Sequence, residues 1–258
     1  MKAVTDEARN RIQINSAGMS DTGRVRRKNE DSFLIQAVRM CRGETGLLYV
    51  LADGMGGREH GDIASQKVIR TFHDLTERLQ SEQPGPEAWM IETAIAAHEA
   101  VIRKGESLGS EGIGSTLVAA LFTGETAYLT SVGDSRAYLL RDEALVQITR
   151  DDSLVALMVA AGQLKADEIY THPRRNEVTR YLGKPGPLEP GRYAIKIQAG
   201  DAFLFCSDGL WEMVRDDEIA RMLIQYPDPA EAVQRFIETA NASGGTDNIT
   251  AAVVRSKA

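Results

Sequence analysis

Short apolar runs of strand length recur along the chain, separated by segments whose apolar residues return at helical spacing. Residues Ile12–Met19 and Ser32–Val38 predict the first two strands, the first ending in Ser20-Asp21-Thr22-Gly23, a turn composition. Leu47–Ala52 is apolar throughout, as expected of a buried strand that ends at Asp53. Ile63, Val68, Phe72, Leu75 and Leu79 predict a helix that Ser81-Glu82-Gln83-Pro84-Gly85-Pro86 breaks. A second helix places Ile91, Ile95, His98 and Ile102 on one face, so His98 is expected against the core. From Gly114 the period becomes that of strands. Ser115–Phe122, Ala127–Val132, Ser135–Leu140 and Leu145–Ile148 predict a meander with turns at Gly124-Glu125 and Gly133-Asp134. Strands resume at Arg192–Ile197 and Ala202–Cys206, and helices follow near 216–225 and 229–242. Asp228-Pro229 is read as the N-cap and first position of the last helix. Ile249–Val254 predicts the final strand.

Strands grouped apart from paired helices predict an α+β fold rather than a regular βα alternation. Two mostly antiparallel sheets packed on each other, with helix pairs outside, is the economical arrangement. No internal repeat or low-complexity linker interrupts the 258 residues, which are read as a single domain. Residues 151–183 mix short apolar patches with Gly162, Pro173 and arginines, and predict a partly helical, irregular excursion from the core. The opening dozen residues are polar and expected to be loosely held.

Composition narrows the function classes. A net charge of −7 argues against general nucleic-acid binding and against adhesion to anionic membrane. No apolar run approaches the ~20 residues that span a bilayer, and the N-terminus lacks the apolar centre of a signal peptide. Cys41 and Cys206 cannot make a disulfide framework, and Cys206, inside Phe203-Leu204-Phe205-Cys206, is expected as a buried free thiol. The cytoplasm is the expected compartment.

Candidate chemistry lies at the strand ends. Val50-Leu51-Ala52-Asp53-Gly54, Ser131-Val132-Gly133-Asp134 and Phe205-Cys206-Ser207-Asp208-Gly209 each run from apolar strand to aspartate beside a small residue. Asn29-Glu30-Asp31 and Gly245-Thr246-Asp247-Asn248 precede strands. One Asp-Gly is an ordinary tight turn. Repeated carboxylates at the ends of core strands are harder to explain as turns, because clustered like charges are costly without cations. All candidate donors are oxygens, and His60, His73, His98 and His172 show no metal-ligand spacing, which favours magnesium or manganese over zinc. Two such ions ~4 Å apart can acidify a bridging water and clamp a phosphoryl group. Within Arg24-Val25-Arg26-Arg27-Lys28, Arg26 could hold the phosphate as a planar fork, although a solvated turn is the favoured explanation of the run if no acidic site stands beside it.

Other phosphoryl chemistries are excluded. A cysteine nucleophile would need Cys-x₅-Arg, but Glu212 and Leu47 occupy the arginine offset from Cys206 and Cys41. The chain contains no Asp-x-Asp, no Gly-x₄-Gly-Lys-Ser/Thr loop and no His-Glu-x-x-His.

Taken in order, Arg26-Arg27-Lys28-Asn29-Glu30-Asp31, Asp53-Gly54-Met55-Gly56-Gly57, Gly114-Ser115-Thr116, Gly133-Asp134-Ser135-Arg136, Ser207-Asp208-Gly209-Leu210-Trp211 and Gly245-Thr246-Asp247-Asn248 resemble the metal-dependent serine/threonine protein phosphatases of type 2C, in their compact bacterial form. The resemblance covers about Gln13 to Val254 and implies a four-layer α-β-β-α sandwich. It implies that Asp53 bridges two Mn2+ or Mg2+ ions, that the Gly54 carbonyl binds one, and that Asp208 and Asp247 complete a shell, with these three aspartates at the centre of catalysis. Glu30 and Asp31 would act on or through metal-held waters, Arg26 would bind phosphate, and Asp134 with Asp208 would hold a third, weaker ion. Residues 151–183 match the flap beside the active site, and His172 within it is open between a structural and a catalytic role.

The implied reaction is direct hydrolysis of phosphoserine or phosphothreonine by a metal-bridging hydroxide. Phosphorylated proteins are the implied partners, with a cognate serine/threonine kinase, and the enzyme is expected to be a monomer. One departure concerns the leaving-group acid. Many eukaryotic members carry histidine where Met55 stands, and many bacterial members carry one where Arg58 stands, with His60 nearby here. A water on the third ion is the favoured alternative. A catalytically silent relative that binds phosphoproteins and a hydrolase of small phosphoesters are the rival readings. The first would have lost ligands, and none of the principal ones is missing here.

Overall fold

The computed structural model describes residues 13–40, 44–56, 60–82, 85–110 and 112–257. The expectations for the opening residues, for Cys41, for Gly57 and Arg58, and for Gln83-Pro84 lie outside them. The strands are β1 Gln13–Asp21, β2 Asp31–Arg39, β3 Thr45–Met55, β4 Gly114–Ser115, β5 Leu117–Thr123, β6 Thr126–Val132, β7 Arg136–Arg141, β8 Ala144–Gln147, β9 Gly191–Lys196, β10 Ala202–Cys206 and β11 Ile249–Lys257. The helices are α1 Gly61–Asp74, α2 Thr76–Ser81, α3 Pro86–Leu108, α4 Leu154–Ala160, α5 Asp208–Trp211, α6 Asp216–Gln225 and α7 Pro229–Ala242, with a 3₁₀ helix over Ala166–Thr171.

One sheet runs β1-β11-β10-β7-β8 and the other β2-β3-β5-β6-β9, with β4 beside β3 and every pairing antiparallel. The side-chain period of two sorts the residues of β3 between two cores. Leu48, Val50 and Ala52 pack with Val68, Phe72, Trp89 and Val101 of α1 and α3. Tyr49 and Leu51 point the other way and meet Phe203, Phe205, Ala252 and Val254 of the opposite sheet. Tyr49 stacks on Phe205 with ring centroids 5.7 Å apart, and Phe122 meets Phe203 edge-on at 5.2 Å. On the far side Tyr138, Leu204, Ala251 and Val253 pack with Trp211, Ile219, Leu223, Val233 and Phe236 from α5, α6 and α7. The result is the four-layer α-β-β-α sandwich. Each large side chain removed from water contributes about 1.5–3 kcal/mol.

The α7 start is as expected: Asp228 accepts from Ala230 N–H and Glu231 N–H at 3.0 Å, and Pro229 opens the helix. Cys206 is buried and free, and burial pushes its thiol pKa up. His98 is buried. Its Nδ1 accepts from Gly183 N–H at 3.2 Å, which leaves Nε2 to donate to the Gly186 carbonyl at 3.1 Å.

Three expectations are corrected. The strand through Leu47–Ala52 continues past Asp53 to Met55, because Gly54 and Met55 pair with Ser115 and Gly114 of β4. The buried face of α3 carries Trp89, Met90, Ala94, Ala97, His98 and Val101, while Ile95 is exposed. Ala94 and Ala97 share a core with Val68 and Phe72 of α1. The four strands from residue 114 onward form no single meander: β5 and β6 pair with each other, but β7 and β8 belong to the opposite sheet. Gly133, at φ 98°, turns the chain from one sheet to the other.

Candidate active site

The chain crosses between sheets at Gly133-Asp134, and that crossing sets the site. Asp53 lies late in β3, Asp134 on the crossover, Asp208 at the first position of α5 after β10, and Asp247 two residues before β11. Glu30 and Asp31 stand at the start of β2. All fall at one end of the paired sheets. A cavity of about 530 Å³ is lined by Arg26, Glu30, Asp53, Gly54, Met55, Asp134, Asp208, Asp247 and Asn248. Asn176, Glu177, Val178 and Tyr181 line it from residues 151–183. Every predicted site residue except Asp31 is therefore on the cavity wall. Asp31 is buried, opposite Asp53 in the β2–β3 register.

Local structure explains the placements. Asp53 is held at its backbone: its N–H donates to Thr116 Oγ1 at 3.0 Å, and its carbonyl accepts from Thr116 N–H at 2.8 Å. Gly54 lies so close to the start of α1 that a Cβ there would fall on the Gly61 carbonyl, so no other residue fits without moving the helix. Asn248 ties the acidic loops together. Its amide donates to the carbonyls of Thr22 and Lys28, both at 2.9 Å, and its Oδ1 accepts from Glu30 N–H at 2.8 Å. Its own N–H donates to Asp247 Oδ1 at 2.8 Å. Arg26 reaches across the cavity and donates to Asp247 Oδ2 at 2.7 Å.

The electrostatics are those of a cation site. Burial, then the neighbouring carboxylates, hold Asp53 and Asp208 well above the usual carboxylate range. Burial pushes Asp134 up to about 7 and Asp31 up to about 6. Asp31 Oδ1 and Asp208 Oδ1 are buried without a hydrogen-bond partner. Unpaired buried carboxylate oxygens facing like charges are stable as anions only with a cation among them. Among the described residues, no group of three or more histidine, cysteine, aspartate or glutamate side chains stands close enough together to hold a metal ion as placed. The all-oxygen donor set lining the cavity is of the type that takes magnesium or manganese, which keep several of their waters.

Sequence reasoning gave no role to Asn248, nor to Asn176, Glu177 and Tyr181 of the flap. The flap closes on itself through Leu154 N–H to Glu177 O at 2.8 Å and Thr179 N–H to Asp152 O at 2.7 Å. That pairing, which no local pattern announces, brings residues 176–178 to the cavity. His172 lies outside the cavity lining, its Nδ1 accepting from Arg174 N–H at 3.2 Å. No histidine is among the described residues that line it.

Trp211 links the flap base to the acidic ring. Its Nε1 donates to the Asp134 carbonyl at 3.0 Å, and the Arg136 guanidinium stacks over its ring at 3.6 Å while pairing with Asp151 at 2.7 Å. Trp211→Phe leaves that buried carbonyl unpaired and is expected to cost about 1–3 kcal/mol in urea unfolding. An unchanged unfolding midpoint would contradict this.

The fold is an α-β-β-α sandwich whose paired sheets end in a carboxylate-lined cleft that Arg26 also lines. The chain belongs to the protein phosphatase 2C family, whose profile its sequence matches over residues 24–252. It is 38% identical over 255 residues to the serine/threonine protein phosphatase PstP of Mycobacterium tuberculosis H37Rv, covering 95% of this chain and 46% of that protein. The chain thus spans about half the length of that relative. It is 35% identical over 240 residues to the serine/threonine phosphatase Stp of Listeria monocytogenes EGD-e, covering 91% of this chain and 93% of that one. The crystal structure of the PstP catalytic domain in complex with two manganese ions superposes with a TM-score of 0.83 at 37% identity, covering 96% of this chain and 99% of that one. No helix among the described residues is long and apolar enough to cross a membrane.

Proposed function

We propose that the domain hydrolyses phosphoserine and phosphothreonine in proteins at a centre of two divalent ions, with a third, weaker site. The observation that carries this reading is the convergence of Asp53, Asp208, Asp247 and Arg26 on one cavity. Asp53, the Gly54 carbonyl, Asp208 and Asp247 would hold the ions. Glu30 and Asp31 act on ion-held waters, and Asp134 with Asp208 serves the third site. When bound, Mn2+ or Mg2+ would lower the pKa of a water enough for it to attack at neutral pH and would neutralise phosphoryl charge.

The chain's own residues bind and orient. Arg26, half-exposed at the cavity rim, exchanges its bond to Asp247 for two equatorial phosphoryl oxygens as the substrate enters. Asn248 keeps Glu30 and Asp247 in register. Asn176, Glu177 and Tyr181 form the flap side of the cavity. The P–O bond to the serine or threonine oxygen breaks as water oxygen adds to phosphorus on the opposite face; one proton of that water ends on the leaving serine or threonine oxygen and the other stays with the released phosphate.

The name and coverage of the Listeria relative support protein substrates, and the manganese complex of the PstP domain supports a two-ion centre. The proposed partners are phosphorylated proteins and an opposing serine/threonine kinase. A monomer in the cytoplasm is the proposed working form, in keeping with the free thiol of Cys206.

The test is phosphate release from a phosphopeptide and from a nucleotide after chelation, with Mn2+ and Mg2+ restored singly. Metal-restored turnover of the phosphopeptide is expected. Turnover that survives chelation, or that favours the nucleotide, refutes the reading. Arg26→Ala is expected to lower kcat/KM about 10–100-fold, chiefly through KM, while sparing manganese affinity. Unchanged kinetics would remove Arg26 from the phosphate site.

A further inference from the structure

Asp31 is the predicted site carboxylate that stands behind the cavity wall, and its surroundings are unusually ordered. Its Oδ2 accepts from Thr250 Oγ1 at 2.6 Å and from Ser207 Oγ at 2.8 Å. Both hydroxyls are fully buried. A hydroxyl has one proton, so each must satisfy its oxygen as an acceptor elsewhere. Ser207 Oγ accepts from Thr250 N–H at 3.0 Å, and its 3.5 Å approach to the Asn248 carbonyl is the weaker alternative for its proton.

Thr250 Oγ1 lies 2.7 Å from Ser20 Oγ. With the Thr250 proton committed to Asp31, Ser20 is the donor of that bond. Ser20 Oγ in turn accepts from Asn29 Nδ2 at 2.8 Å. Asn29 Oδ1 accepts from the Asp31 N–H at 3.1 Å and closes the loop. Every side-chain donor therefore points the same way, from Asn29 through Ser20 and Thr250 to Asp31. The participants come from β1, the segment before β2, the turn after β10, and β11, so the chain spans both sheets. Aligned hydrogen bonds in a buried setting polarise one another. The two hydroxyls occupy Oδ2 and leave Oδ1 buried and without a hydrogen-bond partner.

We propose that Asn29, Ser20, Thr250 and Ser207 are positioning residues that fix the orientation of the Asp31 carboxylate behind Asp53 and thereby set the centre's affinity for its divalent ions. The inference rests on the two-ion reading of the site. Outer partners of this kind typically change metal affinity about 10–100-fold when removed. A purely structural role would instead show in the melting of the metal-free protein and leave ion affinity alone.

The experiment is calorimetric titration of the intact chain with Mn2+, beside thermal melting in EDTA and phosphopeptide kinetics at saturating Mn2+. Thr250→Val keeps the shape and removes the hydroxyl; it is expected to weaken Mn2+ binding about tenfold or more, with KM for the phosphopeptide unchanged. Thr250→Ser restores binding to within about twofold of the parent. Ser20→Ala shifts affinity in the same direction by less, and the effects of Ser20→Ala and Thr250→Val combine to less than their sum, because Ser20 and Thr250 belong to one chain of bonds to Asp31. A folded Thr250→Val protein with parental Mn2+ affinity overturns the proposal, as do independent effects of the two substitutions. Should Thr250→Val not fold, parental affinity in both Ser207→Ala and Ser20→Ala overturns it. A parent chain that binds no Mn2+ overturns the two-ion reading itself and this inference with it.

Discussion

Asp53→Asn is expected to lower manganese-dependent phosphate release by about a thousandfold or more, while the metal-free variant melts above its parent. The fall in rate follows from the bridging position. Lewis-acid neutralisation is worth several kcal/mol in the transition state, and each ~1.4 kcal/mol is a factor of ten. Asparagine has the shape of aspartate but cannot bridge two cations with an anionic group. The gain in stability follows from the neighbourhood. Burial, then Asp31, Asp208, Asp134 and Asp247, penalise the Asp53 anion, and a neutral amide relieves that repulsion. The backbone bonds between Asp53 and Thr116 do not involve the carboxylate and survive the change. Phosphopeptide turnover and scanning calorimetry in EDTA read the two effects. A folded variant with parental activity removes Asp53 from the centre, and a metal-free melting point that falls contradicts the electrostatic account.

The second large effect is a reversal of the pH dependence of stability by metal. Burial holds Asp31 at about 6 and Asp134 at about 7, and keeps Asp53 and Asp208 well above the usual range. In the unfolded chain these groups titrate near ~4. Between those limits the folded metal-free protein binds more protons than the unfolded chain. Its stability therefore falls as pH rises from about 4 through about 7, by an amount on the order of several kcal/mol for the cluster. Saturating Mn2+ displaces those protons, so the metal-loaded protein gains stability over the same window. Melting temperatures from pH 5 to 8, in EDTA and in Mn2+, check both slopes. Parallel slopes would mean that the carboxylates do not share a site with the ion.

The local grammar of the chain was sufficient for much of the architecture. Apolar runs and punctuating glycines placed the strands within a residue or two, apart from β3 and β11, which run three residues past the expected ends, and Asp228-Pro229 placed the start of α7. The acidic constellation was legible for a chemical reason. One aspartate at a strand end is an ordinary turn residue, but several such aspartates in one chain signal clustered like charges whose cost a bound cation offsets. Asp53, Asp134, Asp208 and Asp247 all meet at the cavity. The short helix α5 was not legible, since four residues are too few for a helical period to show.

Periodicity reports which faces of a strand are buried but carries no address for the partner. β5 and β10 are buried on both faces, as are most residues of β7, so nothing in their sequence distinguishes one sheet from the other. Only the folded chain assigned β7 to the sheet opposite β6 and set Asp134 on the crossover. The same limit separated Asp31 from its neighbours. Its residue type and its place beside Glu30 marked it as a site carboxylate, but its position behind Asp53 depends on strand register. The hydroxyls that hold it come from residues as distant in sequence as Ser20 and Thr250. Residue chemistry is carried by each side chain alone, whereas the geometry that makes it a site arises when distant strands bury a common edge.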